Sequence, residues 1–202
     1  MKIITLNKED FFAKCKELID KIDGKPDVVI GVLNGGGYIV DAIKKERVYE
    51  TVKFEQIKHQ RDGELKKENL IFKILLKFMP YAVLDRLRIY ESKNAKQSIN
   101  TLNMIELSKK KLDFKLSITS KELIKNILII DDAIDTGKTM YIIKNNLIKM
   151  FPDINIKIAV ISWTIENSII APDYYLFKNI LLRFPWSKDY KGKDFEKKSF
   201  SC

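Results

Sequence analysis

One stretch constrains this chain more than any other. The branched apolar run Ile127-Leu128-Ile129-Ile130 meets two carboxylates at once, Asp131 and Asp132, and continues as Ala133-Ile134-Asp135-Thr136-Gly137-Lys138-Thr139. A short, unbroken apolar run predicts a strand, Asn126–Ile130, covered on both faces, as in a parallel sheet flanked by helices. Adjacent acids are costly inside such a core, so they mark the strand's C-terminal end, the edge where open α/β sheets bind ligands. A polar loop then leads into a helical pattern over Met140–Met150. Its backbone N–H groups and the positive end of the helix dipole suit a phosphate. Thr136 and Thr139 add hydroxyls, and Gly137 lets the backbone come close.

The rest of the chain agrees with this fold class. Asn7 with Asp10 predicts a helix start, with Phe11, Phe12, Cys15, Leu18, Ile19 and Ile22 on its apolar face and Gly24 and Pro26 ending it. Asp27–Leu33 reads as a strand, Asn34-Gly35-Gly36-Gly37 as a loop, and Ile39, Val40 and Ile43 as the next helix. Thr51–Lys58 reads as a strand and His59–Asn69 as a loop; Leu70–Met79 is apolar, Pro80 breaks it, and helical spacing resumes over Ala82–Tyr90. Lys109-Lys110-Lys111 falls in a polar connection. Further strands are expected at Ile156–Trp163, Tyr174–Phe177 and Ile180–Phe184, followed by a charged tail from 187 to 202. Alternating strands and helices with no long linker predict a single α/β domain over residues 1–202 with a mainly parallel central sheet.

Two rival readings of the acidic motif fail. Gly137-Lys138-Thr139 imitates the end of a nucleotide-binding P-loop, but the loop's first glycine falls on Asp132, whose charge opposes a triphosphate. A phosphatase of the haloacid dehalogenase type needs an Asp where this chain has Ala133.

The thirteen residues Ile127–Thr139 resemble the phosphoribosyl pyrophosphate motif of type I phosphoribosyltransferases, in the form used by the hypoxanthine–guanine and xanthine branch. Val29-Ile30-Gly31-Val32-Leu33-Asn34-Gly35-Gly36 resembles that family's pyrophosphate loop, and Pro185-Trp186 the end of its base-covering hood. The resemblance implies a mainly parallel sheet flanked by helices, a small hood, and a helical insertion over 60–120 holding a mobile catalytic loop. It also implies that the Leu33–Asn34 peptide is cis.

The implied reaction transfers ribose 5-phosphate from phosphoribosyl pyrophosphate to a nitrogenous base, with Mg2+ as cofactor and pyrophosphate as leaving group. Positive charge grows on the sugar in such a transition state, so Asp131 and Asp132 would bind the ribose hydroxyls and favour the cation. The same pair is the candidate metal contact, through water. Asp135 would take the acceptor's proton. Thr136, Gly137, Lys138 and Thr139 would hold the 5-phosphate, and the amides of Asn34, Gly35 and Gly36 the pyrophosphate. Arg61, Lys66, Lys67, Arg86 and Arg88 are candidates to close over it, Arg88 foremost because it lies within an apolar helical pattern. The lysine with which 6-oxopurine enzymes read the base is missing from Val160–Thr164, and the stacking aromatic falls near Leu181, with Phe184 or Trp186 as substitutes.

The net charge of +10 is uneven: residues 51–125 carry 17 basic against 9 acidic side chains, and residues 178–202 carry 7 against 3. Such a surface favours polyanions. A regulator on the same fold, sensing phosphoribosyl pyrophosphate and binding nucleic acid, is therefore the alternative. Asp135 and the intact glycine loop favour catalysis, so nucleic acid is not expected as a partner. Cys15 and Cys202 stand far apart with one histidine in the chain, which excludes a disulfide framework or a zinc site. With no signal peptide and no membrane span, a cytoplasmic location is expected; a homo-oligomer, a dimer, is the expected assembly.

Overall fold

The computed structural model describes residues 1–45, 52–58, 76, 78–112 and 124–195. In chain order the elements are β1 (Lys2–Thr5), α1 (Lys8–Asp20), β2 (Val28–Leu33), α2 (Gly35–Lys45), β3 (Lys53–Lys58), α3 (Tyr81–Ile99), α4 (Met104–Lys109), β4 (Asn126–Ile134), α5 (Lys138–Met150), β5 (Asn155–Trp163), β6 (Tyr174–Lys178) and β7 (Ile180–Arg183).

Five strands form one sheet in the order β3-β2-β4-β5-β6, every pair parallel. From β2 the chain steps outward to β3, then returns to place β4 on the other side of β2. The direction of winding thus reverses between β2 and β4, and ligands bind at such a switch point, beyond the strands' carboxyl ends. The covered strands are apolar throughout: Val28–Val32 and Ile127–Ile130 are buried. Two apolar layers clothe the sheet. Phe11, Leu18, Ile39 and Ile43 from α1 and α2 belong to one, and Ile143, Leu147 and Phe151, within and just after α5, to the other.

Helix α1 starts as expected. The Asn7 side chain accepts from the Asp10 amide at 2.8 Å and Asp10 accepts from the Asn7 amide at 3.3 Å, satisfying two N–H groups that lack intrahelical partners. Four differences from the sequence reading stand out. Strand β4 runs on through both acids to Ile134, because Asp131, Ala133 and Ile134 still pair with β5. Glycines 35–37 form the first turn of α2, not a loop before it. Lys109 ends α4, where a connection was expected. The N-terminal residues form β1, which pairs in parallel with β7 from Lys2↔Ile180 to Thr5↔Arg183. That small second sheet is the hood. The tail, read as a charged extension, is tied down as far as residue 195: Asp189 binds two arginines and Asp194 caps Lys8 N at 2.7 Å.

The loop expected over His59–Asn69 and most of Leu70–Met79 lie outside the described residues, as do Arg61, Lys66, Lys67 and Cys202. No described helix is long and apolar enough to cross a membrane.

Candidate active site

The switch point is held closed by one carboxylate. Asp131, 4% exposed, accepts through Oδ1 from the Gly36 amide at 3.1 Å and from the Asp132 amide at 2.9 Å. The first bond ties the N-terminus of α2 to the end of β4. It requires close approach: a β-carbon at Gly36 would collide with the carbonyl oxygen of Ile130. The Leu33–Asn34 peptide just before this turn is cis. Because the Gly36 N–H is used inside the protein, the other amides that this helix start leaves without an intrahelical acceptor are those of Asn34, Gly35 and Gly37.

After β4 the chain turns sharply. Gly137 caps α5 with φ +83°, a left-handed conformation that side chains rarely adopt, and a β-carbon there would crowd Ile170. Thr136 Oγ1 accepts from the Lys138 amide at 3.4 Å, and its carbonyl accepts from the Ile169 amide at 3.0 Å. The loop is thereby braced from outside by the segment after β5.

Two cavities flank this motif. The first, of about 280 Å³, is lined by Asp131 and by residues of the run from Ala133 to Ile142, with Ala95, Leu107 and Lys110 forming the opposite wall. The second, of about 340 Å³, lies under the hood and is lined among others by Asp132, Glu91, Thr164, Leu181, Phe184 and Trp186. Ala95, Ala133 and Asp135 line both, so the cavities meet at these three residues. Asp131 faces the first cavity and Asp132 the second.

Trp186 joins hood and motif. Its indole N–H donates to Asp132 Oδ2 at 3.1 Å, and its ring stacks on Phe184 and on Tyr38, with centroids 4.9 and 4.5 Å away. Sequence reading pairs Pro185-Trp186 with the hood but carries no signal for a bond to Asp132, 54 residues earlier. Arg88 lines the hood cavity, yet its guanidinium is drawn to the hood itself. Nε donates to Asp189 at 2.7 Å and one terminal nitrogen to the Leu182 carbonyl at 3.0 Å. Arg86 is exposed on α3.

Asp189 also accepts from Arg183 Nε at 2.9 Å, and Arg183 reaches Asp85 at 2.6 Å and Thr5 at 2.9 Å. Burial would raise the Asp189 carboxyl, but hydrogen bonds and charge from Arg88, then Arg183, outweigh it and hold it at about 2. Arg183, 2% exposed, lies over the Tyr81 ring at 4.3 Å. This cluster fixes α3 to β1, β7 and the tail.

No group of three or more His, Cys, Asp or Glu among the described residues could enclose a metal. Magnesium ordinarily takes one or two carboxylates together with substrate phosphates and water. Asp131 and Asp132 fit that mode as outer contacts from two sides, not as a shared chelate.

The sequence matches the phosphoribosyl transferase domain family over residues 6–180. Its fold is similar to that of a purine phosphoribosyltransferase from Pyrococcus horikoshii, at 20% identity and a TM-score of 0.58, covering 93% of this chain and 95% of that one. It is also similar to a xanthine-guanine-hypoxanthine phosphoribosyltransferase from Helicobacter pylori, at 16% identity and a TM-score of 0.56, covering 92% and 93%. A third similar structure is a hypothetical protein from Neisseria gonorrhoeae with bound ppGpp, at 16% identity and a TM-score of 0.53, covering 92% and 89%. At these identities the likeness is one of fold. No curated protein significantly matches the sequence.

Proposed function

Since this chain belongs to the phosphoribosyl transferase family, we propose that it transfers ribose 5-phosphate from phosphoribosyl pyrophosphate to a ring nitrogen of a purine-like base. The observation that carries the reading is the junction of two cavities at Asp135. A phosphorylated sugar in the first and a flat base under the hood would bring their reacting atoms together beside that carboxylate.

Each part of the chain has its task in this scheme. The Asp135–Thr139 loop and the start of α5 hold the 5-phosphate with backbone amides, hydroxyls and the helix dipole. Asp131 and Asp132 accept from the ribose hydroxyls and favour the cationic ring as the bond to pyrophosphate lengthens. Amides of Asn34 and Gly35 bind the departing pyrophosphate, while Gly36 keeps the turn in place through Asp131. Asp135 takes the proton that the base loses as its nitrogen bonds to the sugar. Asp131 and Asp132 would hold magnesium through outer contacts, and it would supply positive charge to offset that of the leaving group.

The purine class is supported by the names of the similar structures and by a cavity large enough for a bicyclic base. No lysine lines the hood cavity among the described residues, so a base is read there by other groups.

The test is pyrophosphate release with a panel of purine and pyrimidine bases, run on wild type and Asp135→Asn. The variant should lose about 10²–10⁴-fold in turnover with donor affinity unchanged. Loss of donor affinity would move Asp135 into the binding set, and no release with any base would overturn the reading.

A further inference from the structure

The helical segment between β3 and β4 has a role that the motif alone does not predict. Its residues Ala95, Leu107 and Lys110 wall the phosphate cavity opposite the Asp135–Thr139 loop. The cationic residues lining that cavity are Lys138, within the loop, and Lys110, across from it; Asp131 and Asp135 offset them. A phosphomonoester dianion entering there meets a formally neutral site when both ammonium groups face it and a net negative one when Lys110 does not.

The backbone around Lys110 is not a loose connection. Asn146 donates through Nδ2 to the Lys110 carbonyl at 2.9 Å and accepts through Oδ1 from the Leu112 amide at 3.2 Å. One turn back, Nδ2 also donates to the Ile142 carbonyl at 2.8 Å. Asn145 and Lys149 donate to the Ser108 carbonyl at 3.0 and 2.7 Å. All three clamping side chains belong to α5, the helix whose first turn forms the phosphate cradle. Segment and cradle are thus built on one rigid element, and Leu107 is buried against it.

Resting on the reading above, we propose that Lys110 is a donor-binding residue: its ammonium closes the phosphate cradle from the side opposite the loop, with Asn146 as its positioning residue. A lysine suits this place because a long flexible stem can carry its charge from the clamped backbone into the cavity, and a compact point charge needs no planar partner.

The experiment measures binding of ribose 5-phosphate and of phosphoribosyl pyrophosphate by calorimetry, with unphosphorylated ribose as control. Lys110→Met should weaken both phosphorylated ligands by about tenfold, which is about 1.4 kcal/mol. Lys110→Arg should recover most of that loss, and the salt dependence of binding should flatten in Lys110→Met. Asn146→Ala should raise the donor KM in the same direction with little change in kcat. If wild type binds both ligands and Lys110→Met binds them within twofold of it, Lys110 is a surface charge and this inference falls alone. If wild type binds neither, the phosphoribosyltransferase reading falls and takes this inference with it.

Discussion

The proposed phosphate side of the site and the hood flank the same sheet edge and are held together by opposite means. The phosphate side is local and relies on backbone: thirteen consecutive residues supply strand, acids, cradle and helix start. The hood is assembled from Thr5, Tyr81, Asp85, Arg88, Arg183 and Asp189, and side-chain charge holds it. Backbone groups at a helix start cannot be lost by substitution, whereas a buried ion cluster fails when one member is removed. The cradle should therefore tolerate point changes as graded losses, and the hood should not.

Arg183→Met tests that contrast most severely. It takes from Asp85 its guanidinium partner and from Asp189 one of two, leaving Arg88, and breaking such a cluster costs up to about 3–5 kcal/mol. Denaturant unfolding should show that loss; a change under about 1 kcal/mol would mean the hood is held by β1–β7 pairing instead. Next in size is Gly36→Ala, whose added methyl must push α2 away from β4. A displacement on the order of 1 Å at a catalytic centre costs about 10²-fold in turnover. Wild-type pyrophosphate release from this variant would show that the turn can relax freely.

Acid comes third and strikes the hood. The Asp189 carboxyl sits at about 2 in the folded protein against an ordinary 3.8, so the folded state binds fewer protons than the unfolded chain. Its stabilisation is complete above the ordinary value and is lost as pH falls toward about 2, a swing of roughly 2 kcal/mol. The stability gap between wild type and Asp189→Asn should shrink across that window; a constant gap would assign the contribution to packing. Smallest is Thr136→Val, which removes one hydroxyl from a cradle made mostly of amides. Ribose 5-phosphate and the full donor should both weaken by about tenfold or less. Unequal losses would place the 5-phosphate elsewhere.

The same contrast explains which parts were legible in the residues. Strands β2, β4, β5, β6 and β7 and helices α1 and α5 follow from apolar runs, periodicity and caps within a dozen residues. So does the cradle, because a helix start after a buried strand binds anions through local geometry. Strand β1 was illegible: four residues of ordinary hydrophobicity become a strand because β7 lies beside them, 178 residues away. The continuation of β4 through Asp131 and Asp132 was hidden for a like reason. Two acids look like an ending until β5 supplies hydrogen bonds on one side and the Gly36 amide on the other.

Arg88 shows the limit at a single residue. A basic side chain within an apolar helical pattern signals that its charge meets a partner, and nothing in the pattern says which. The partner at hand is Asp189, brought near by the hood. Sequence alone determined the α/β class and the family, and it carried the proposed phosphate loop, since each depends on interactions among near neighbours in the chain. Tertiary structure alone decided that the cavities meet at Asp135, that Trp186 bonds to Asp132, and that Lys110 walls the cavity beside the Asp135–Thr139 loop. Those juxtapositions join residues dozens of positions apart, and only the packing of the sheet's two layers brings them within reach.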